Sequence, residues 1–196
     1  NLDTLKNQIV HYHVVGTYEY DLSRIAFRAE NYLKMRVREN KRLSHPKKLA
    51  LVLDIDETSL SNYNDLKALN FGGTWHQQDL AEARGDDPVI KPTLTLYRYA
   101  INHGVVVFFI TGRYEKYRTG TEKNLKAAGY TQWTNLYMKP NDYKQRSAIP
   151  YKTSHRKQIA DQGYDIAVNV GDQQSDLSGG YSDKVFKYPN YMYFIP

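Results

Sequence analysis

The chain has 196 residues, 41% of them hydrophobic, which is typical of one folded globular domain rather than of a disordered segment. It contains no cysteine, which excludes disulfide scaffolds, thiolate metal sites and cysteine nucleophiles and leaves oxygen or imidazole ligands for any metal. With 27 lysines and arginines against 21 aspartates and glutamates, its net charge is +6, which favours anionic partners: nucleic acid, anionic lipid or small phosphorylated compounds.

The N-terminal part of the sequence predicts helix. Apolar residues recur at helical spacing between Leu22 and Val37, after Asp21 as N-cap, so an amphipathic helix is predicted to run to about Arg38. Basic residues from Arg36 to Lys48 alternate with apolar ones and contain no groove-reading motif, so a solvated helix face is a better interpretation than a nucleic-acid patch.

No stretch of the sequence predicts a membrane span, because the longest apolar run, Val105 to Ile110, is far shorter than the ~20 residues that a spanning helix needs. The first residue is Asn rather than Met, which is compatible with export. Natural processing and deliberate design would each explain the missing Met, so this evidence leaves the compartment open.

After Pro46, short apolar and β-branched runs alternate with helical patterns. The predicted strands are 49–53, 105–110, 135–138, 166–170 and 184–188, and the predicted helices are 92–104, 115–128 and 152–162. This alternation predicts an α/β fold with a doubly wound parallel sheet, covered by helices on both faces. We predict a single domain over residues 1–196, with a helical preface over 1–45 and a small cap insert over 59–92.

Three predicted strands run into polar residues at their carboxyl ends. Asp54 and Asp56 follow the first strand, Thr111 to Arg113 follow the second, and Gly171 to Asp176 follow the fourth. An isolated Asp-x-Asp pair is more often structural than functional. Because ligands of open α/β sheets bind beyond the carboxyl ends of the strands, we expect these residues to gather at one site.

This combination of motifs resembles the haloacid dehalogenase (HAD) superfamily of aspartyl-nucleophile phosphohydrolases, and most closely its acid phosphatase branch. That branch includes the bacterial class C acid phosphatases and the plant vegetative storage proteins. The resemblance covers residue 18 to the end of the chain. The motifs that carry it are Asp54-Ile-Asp-Glu-Thr, Ser61-Asn62, Thr111-Gly-Arg113, Tyr151-Lys152, Arg156-Lys157, Gly163-Tyr164, Gly171-Asp-Gln-Gln-Ser-Asp176 and Pro189-Asn-Tyr-Met-Tyr-Phe-Ile-Pro196. It implies a HAD-like Rossmannoid fold, an acidic pH optimum and hydrolysis of small phosphate monoesters, nucleoside monophosphates included.

The charges of the predicted site require a cation. With Asp56 protonated and Asp54, Asp172 and Asp176 ionised, the site carries three negative charges, of which Lys152 neutralises one. Two like charges ~4 Å apart repel by about 4 kcal/mol at an effective dielectric constant of 20, so a phosphate monoester could not bind such a site. A divalent cation brings the sum to zero, and an oxygen-only ligand set favours Mg²⁺.

The resemblance also implies a role for each residue of the site. Asp54 is the expected nucleophile, and Asp56 the expected general acid and base. The expected metal ligands are Asp54, Asp172 and the backbone carbonyl of Asp56, with Asp176 holding a water of the metal. Lys152 is expected to neutralise the charge that moves during transfer, although a solvated lysine at the start of a helix is the alternative.

Further candidates concern substrate binding. The Thr111 hydroxyl and the Gly112 amide are expected to hold the phosphoryl oxygens, although Thr111 could instead cap a helix. Asn62 and Arg113 match family positions near the phosphate, although Arg113 could equally be an ordinary charge at a helix end. Two cap aromatics, Phe71 and Trp75, could stack on the organic part of the substrate at ~1–3 kcal/mol per base, or could only pack the cap.

Two other functions compete with the hydrolase. A storage or binding protein of the same fold is the alternative, but its inactive members lack the nucleophilic aspartate, whereas this chain has Asp54. A nucleic-acid-binding protein ranks lower. We therefore expect a small anionic phosphomonoester as partner and no nucleic acid. The resemblance also suggests a homodimer and a secreted or periplasmic location.

Overall fold

The computed structural model describes residues 1–196, apart from the side chains of Trp75, His76, Gln78 and Asp79. Its strands are β1 Lys48–Leu53, β2 Val106–Tyr114, β3 Asn135–Lys139, β4 Tyr164–Gly171 and β5 Lys184–Lys187. Its α-helices are α1 Leu2–Val14, α2 Thr17–Asn40, α3 Tyr63–Ala68, α4 Trp75–Arg84, α5 Lys91–Asn102, α6 Arg118–Ala127, α7 Ile149–Asp161 and α8 Gln174–Leu177. A 3₁₀ turn at Glu115–Tyr117 leads into α6.

The strands form one parallel sheet in the order β3-β2-β1-β4-β5. The chain moves outward from β1 to β2 and β3, then returns to the other side of β1 for β4 and β5, so the strand order reverses at β1. Leu53 at the end of β1 pairs with Phe109 of β2 and Val170 of β4. The predicted doubly wound parallel α/β sheet is confirmed, and the carboxyl ends of β1, β2 and β4 are neighbours.

Both faces of β1 are buried, which explains its uninterrupted apolar sequence. Leu49, Leu51 and Leu53 pack into the core cluster that α2 and α5 also enter. Ala50 and Val52 face the other way, into the cluster that contains Ile159 of α7. Full burial of a leucine side chain is worth about 1.5–3 kcal/mol, so this strand anchors the sheet edge at which the site forms.

The helical preface differs from its prediction in two respects. Gly16, with φ +81°, separates α1 from α2, so α2 begins at Thr17 and not after an N-cap at Asp21. Asp21 lies inside the helix, and its carboxylate accepts a hydrogen bond from the Tyr12 hydroxyl at 2.8 Å. Helix α1 lies within the predicted helical preface, but the sequence gives no bounds for it, because it buries no residue and therefore lacks a strong apolar stripe.

Elsewhere the predicted elements lie within a few residues of the observed ones. The main exception is β2, which was predicted to end at Ile110 but continues to Tyr114, where it pairs with Lys139 of β3. Segment 59–92, which the sequence predicts to be a cap insert, contains α3, α4 and the first two residues of α5. Among the described residues, no helix is both long and apolar enough to cross a bilayer.

Candidate active site

Asp54 directly follows β1 and therefore lies at the carboxyl edge of the sheet. The backbone NH of Asp54 donates to the carbonyl of Val170 at 3.0 Å, which extends the β1–β4 ladder by one residue. The turn that follows is closed by the Ser59 hydroxyl, which donates to the Asp54 carbonyl at 2.7 Å. The Asp54 side chain is 7% exposed, so its carboxyl is fixed in a buried position at the end of the central strand.

Three carboxyl groups meet at this position. Asp54, Asp172 and Asp176 each place one oxygen within 4.8 Å of the others. Asp172 follows β4, and Asp176 lies in α8, where its Oδ2 accepts a hydrogen bond from the Gln173 NH at 2.8 Å in a capping box. All three side chains are buried, so the site concentrates negative charge in a region of low dielectric.

Gly171 makes the close approach of Asp176 possible. A Cβ at position 171 would lie 2.3 Å from the Asp176 Cβ and 2.5 Å from its Oδ2. These separations are far below the ~3.5–4.0 Å of ordinary carbon contacts. The glycine is therefore a geometric requirement of the carboxylate cluster.

Lys152 supplies the positive charge at the cluster. It lies in the first turn of α7, and its Nζ is 2.6 Å from Asp54 Oδ1 and 2.5 Å from Asp176 Oδ1. Burial alone would lower the pKa of Lys152, but the Asp176 and Asp54 carboxylates outweigh burial and raise this pKa above its usual range, so the ammonium is charged.

The pKa values of Asp54 and Asp172 are also raised, which for a carboxyl group favours the neutral form. Burial and the Asp176 carboxylate raise the pKa of Asp54 well above its usual value, against the opposing effect of Lys152. Burial, with Asp176 and Glu57, raises the pKa of Asp172 to about 7. Without a metal ion the cluster therefore tends to hold protons, because one ammonium does not balance three carboxylates.

Asp56 points to a different set of partners. Its Oδ1 accepts hydrogen bonds from Arg113 Nε at 3.0 Å, Arg113 Nη2 at 2.8 Å and Asn62 Nδ2 at 2.8 Å. Burial raises the pKa of Asp56, but Arg113 and Asn62 outweigh it, so the pKa lies below its usual value. The structure thus describes an ionised Asp56, whereas the sequence-based charge count took it as protonated.

Thr111, Gly112 and Arg113 lie inside β2 and not beyond its end, which corrects the prediction from sequence. The register between β2 and β3 shifts between Ile110 and Tyr114, so these residues leave the regular ladder although the strand continues. The Thr111 hydroxyl accepts a hydrogen bond from the Arg113 NH at 3.1 Å, and a Cβ at Gly112 would meet nothing within 4 Å. Thr111 therefore caps no helix.

Arg113 is almost fully buried and bridges two acidic residues. Besides Asp56, it pairs with Asp87 through Nη2 at 2.7 Å. Its Nη1 is buried and has no hydrogen-bond partner within the described part of the chain. This guanidinium is part of the site and not an ordinary charge at a helix end.

The cap aromatics are not brought to the carboxylate cluster by any described contact. Phe71 follows α3, and its ring lies 6.3 Å from that of Tyr63, also in the cap insert, at an interplanar angle of 47°. The contact described for Phe71 is thus cap packing. The side chain of Trp75 lies outside the described residues.

Sequence reasoning missed several residues of the second layer around the site. Asp172 Oδ2 accepts hydrogen bonds from Gln173 Nε2 at 2.6 Å and from Asn190 Nδ2 at 2.7 Å. Arg156 Nη1 donates to the Asp176 carbonyl at 2.6 Å. Gln173, Arg156 and Asn190 belong to the motifs that carry the family resemblance, but residue type and spacing alone give them no role.

Glu57 is the least expected of these residues. It is completely buried and has φ +52°, a left-handed backbone conformation that is uncommon for glutamate. Its carboxylate accepts hydrogen bonds from the Asn62 NH at 2.6 Å and from the Tyr193 hydroxyl. Burial and the Asp56 carboxylate raise the pKa of Glu57 to about 7.

Comparison with known proteins gives similarities in both sequence and fold. Residues 2–196 match the model of the family described as HAD superfamily, subfamily IIIB (Acid phosphatase). The chain is 32% identical over 188 residues to Acid phosphatase 1 of Solanum lycopersicum, covering 94% of this chain and 72% of that protein. It is 37% identical over 157 residues to the Stem 28 kDa glycoprotein of Glycine max, covering 77% of this chain but only 61% of that protein. It is 30% identical over 186 residues to Vegetative storage protein 1 of Arabidopsis thaliana, covering 91% of this chain and 66% of that protein.

Among solved structures, the fold is similar to that of the class C acid phosphatase from Bacillus anthracis. The TM-score is 0.75 and the sequence identity 20%, over 97% of this chain and 86% of that chain. At this identity the likeness concerns the fold alone.

Proposed function

The chain belongs to subfamily IIIB of the HAD superfamily, the acid phosphatase subfamily, and on this basis we propose that it is a Mg²⁺-dependent acid phosphatase that hydrolyses small phosphate monoesters through an aspartyl-phosphate intermediate. The observation that carries the proposal is the meeting of Asp54, Asp172 and Asp176 around the ammonium of Lys152. A purely structural site has no need for three buried carboxyl groups that a single lysine cannot neutralise.

The donor set fits a small divalent cation. Asp54, Asp172 and Asp176 offer oxygens within 4.8 Å of one another, and hard cations such as Mg²⁺ prefer oxygen ligands. Asp172 is oriented by Gln173 and Asn190, as expected for a ligand whose position must be exact to a fraction of an ångström. When bound, the cation would offset the carboxylate charge and polarise the phosphoryl group of the substrate.

Asp54 is the proposed nucleophile. One of its oxygens attacks phosphorus, the bond from phosphorus to the ester oxygen breaks, and the alcohol departs with the electron pair of that bond. Lys152, 2.6 Å from Asp54 Oδ1, keeps the carboxylate oriented and stabilises its ionised form. Water then attacks the aspartyl phosphate, which releases phosphate and restores Asp54.

Asp56 is the proposed proton carrier. In the first step it gives a proton to the departing alcohol, and in the second it takes a proton from the attacking water. Arg113 keeps the pKa of Asp56 low in the structure, which suits the second role. For the first role, the arriving phosphate would repel negative charge on Asp56 and raise its pKa, so that it binds a proton when substrate binds.

Phosphate recognition is assigned to β2. We propose that the Thr111 hydroxyl and the Gly112 amide hold phosphoryl oxygens, and that Asn62 supports the site from the cap side. The buried Nη1 of Arg113 lacks a partner among the described residues, so it can donate a hydrogen bond to a phosphoryl oxygen.

Recognition of the organic group of the substrate is assigned to the cap. Residues 59–92 are proposed as the cap insert of a single domain, with Phe71 and Trp75 as candidates to stack on a planar group such as a nucleoside base. A secreted or periplasmic location and a homodimer are further proposals that rest on the resemblance alone.

A storage or binding protein of the same fold is the second candidate. It is favoured by the similarity to Vegetative storage protein 1 of Arabidopsis thaliana. Against it, this chain combines Asp54, Asp56, Lys152 and Asp172, of which all but Asp56 lie in or against one buried cluster. Such a protein would show no turnover even with Mg²⁺.

The decisive experiment is phosphate release from p-nitrophenyl phosphate with and without Mg²⁺. We expect the wild type to be active with Mg²⁺ and the Asp54→Asn variant to be inactive but folded, whereas Asp161→Asn, on the exposed end of α7, should match the wild type. Acid quenching of the wild type should trap a hydroxylamine-sensitive phosphoenzyme that the Asp54→Asn variant lacks. Activity above a few per cent in that variant would exclude Asp54 as the nucleophile, and an inactive wild type would favour the storage function.

A further inference from the structure

The C-terminal segment 189–196 lies against the site, but apart from Asn190, which orients Asp172, the proposed chemistry gives it no role. Its end is fixed by two backbone contacts: the Ala148 NH donates to the Pro196 carbonyl at 3.0 Å, and the Ile195 NH donates to Gln173 Oε1 at 3.0 Å. Between these contacts and β5, the Tyr193 hydroxyl donates to Glu57 Oε2. The segment thus reaches a buried carboxylate that is next to Asp56 in sequence.

Glu57 connects the segment to Asn62. Glu57 Oε1 accepts the Asn62 backbone NH at 2.6 Å, and Glu57 Oε2 accepts Asn62 Nδ2 at 3.2 Å. The same Nδ2 donates to Asp56 Oδ1 at 2.8 Å. Because an amide NH₂ has two hydrogens, one for each carboxylate, these bonds fix the orientation of the Asn62 side chain.

The backbone conformation of Glu57 is unfavourable, so the contacts around this residue must stabilise it. A non-glycine residue in a sparsely populated backbone region is energetically unfavourable and persists only where its surroundings determine the conformation. Here φ is +52°, and the surroundings are the two hydrogen bonds from Asn62 and the one from Tyr193.

We propose that Tyr193, acting through Glu57 and Asn62, positions the Asp56 carboxyl group for proton transfer to the leaving group. The inference rests on the proposed function, since it needs Asp56 as the proton donor. Arg113 holds Asp56 Oδ1 from β2, and the Tyr193–Glu57–Asn62 chain holds it from the cap side. Tyr193, Glu57 and Asn62 are positioning residues, and together they explain why a tyrosine near the C-terminus belongs to the site.

The test uses the dependence of rate on the leaving group. p-Nitrophenolate departs without a proton, whereas the alkoxide of an alkyl ester such as glycerol 2-phosphate needs one. The ratio kcat/KM covers the steps up to departure of the alcohol, so it isolates the step that Asp56 assists. For Tyr193→Phe we expect kcat/KM to fall about tenfold or more for glycerol 2-phosphate, part of the 10²–10⁴ that a general acid supplies, and to change less than about twofold for p-nitrophenyl phosphate.

Two further variants sharpen the measurement. Tyr97→Phe is the matched control, because it also removes a hydrogen-bonded tyrosine hydroxyl. The Tyr97 hydroxyl accepts from the Thr131 NH at 3.0 Å and from the Gln132 NH at 2.7 Å, but contacts no residue of the proposed chain. Its ratio of alkyl to aryl activity should equal that of the wild type. Asn62→Ala should lower kcat/KM for both esters, because Asn62 is also proposed to support phosphate binding, but the loss should be larger for glycerol 2-phosphate. Combining it with Tyr193→Phe should change the ratio of alkyl to aryl activity little further, because both variants break one chain.

The outcomes separate the two proposals. Suppose that the wild type hydrolyses both esters. If Tyr193→Phe then lowers kcat/KM by the same factor for both, or lowers it for neither, the positioning role is overturned and the proposed phosphatase function stands. If the wild type with Mg²⁺ hydrolyses neither ester, the proposed function fails and the positioning role with it. Should Tyr193→Phe not fold, the same ratio measured for Glu57→Gln decides: a selective alkyl loss supports the role, and an unchanged ratio overturns it.

Discussion

Replacing Lys152 by methionine tests whether its ammonium group offsets negative charge of the carboxylate cluster and so stabilises the fold. Nζ lies 2.6 Å from Asp54 Oδ1 and 2.5 Å from Asp176 Oδ1, and the lysine side chain is 5% exposed. Methionine has nearly the same length and shape but no charge. The Lys152→Met variant therefore keeps the packing of α7 and leaves the carboxyl groups buried without their counter-charge.

The size of the effect follows from this burial. Removing one partner of a buried ion pair costs about 3–5 kcal/mol. Carboxylates at most 4.8 Å apart repel by about 3–4 kcal/mol per pair at an effective dielectric constant of 20, unless a proton or cation intervenes. For a domain of this size, each kcal/mol corresponds to about 2–4 °C in Tm, so the metal-free variant should unfold about 6–20 °C below the wild type.

Calorimetry in EDTA, near neutral pH, measures this difference. Lys157→Met is the control, because Lys157 lies on the same helix but is exposed, with its Nζ 2.6 Å from Asp161 Oδ2 at the surface, where ion pairs contribute little. Added Mg²⁺ should raise the Tm of Lys152→Met more than that of the wild type, since the cation supplies the charge that the variant lacks. If Lys152→Met unfolds within about 2 °C of Lys157→Met in EDTA, the ammonium does not compensate the cluster and the charge argument for a cation is refuted.

Three further outcomes are expected. EDTA should abolish hydrolysis of p-nitrophenyl phosphate and Mg²⁺ should restore it. If the activity is unchanged by EDTA, the proposed requirement for a metal ion is wrong. Gly171→Ala should strongly reduce activity because its Cβ would lie 2.3 Å from the Asp176 Cβ, whereas Gly72→Ala, whose Cβ would meet only the Leu69 carbonyl at 3.6 Å, should behave as the wild type in the same assay. Asp172 has a folded-state pKa of about 7, above its unfolded value near 3.9, so its contribution to stability is complete below about pH 4 and is lost as the pH rises through 7. In EDTA, the Tm of the wild type relative to that of Asp172→Asn should therefore increase as the pH is lowered from 8 to 5, and a constant difference would contradict the raised pKa.

The sheet and the carboxylate cluster could be predicted from the sequence because each depends on a local pattern. The run from Leu49 to Leu53 is apolar because β1 is buried on both faces, and polar residues follow where the strand reaches the sheet edge. Parallel pairing then brings Asp54 and Asp172 together without further information. The same reasoning placed the end of β2 too early, since the polar Thr111 and Arg113 look like a loop although the strand continues.

What the sequence could not predict depends on contacts between distant residues. The Tyr193–Glu57 hydrogen bond joins residues 136 positions apart, and no periodicity marks either of them. The lowered pKa of Asp56 depends on where the Arg113 guanidinium points, which a motif does not specify. The bounds of helix α1 could not be predicted, because none of its residues is fully buried and it lacks the strong hydrophobic pattern on which helix prediction depends.

The placement of β1 between β2 and β4 also bears on how the molecule acquires the proposed activity. Lys48 pairs with Tyr164, so the central contact of the sheet closes a loop of more than a hundred residues, and such non-local pairings form slowly. Helical segments such as α2 can form earlier, from local contacts alone. Recovery of catalysis after dilution from denaturant would thus report the closing of this long loop, and would lag behind the recovery of helical circular dichroism.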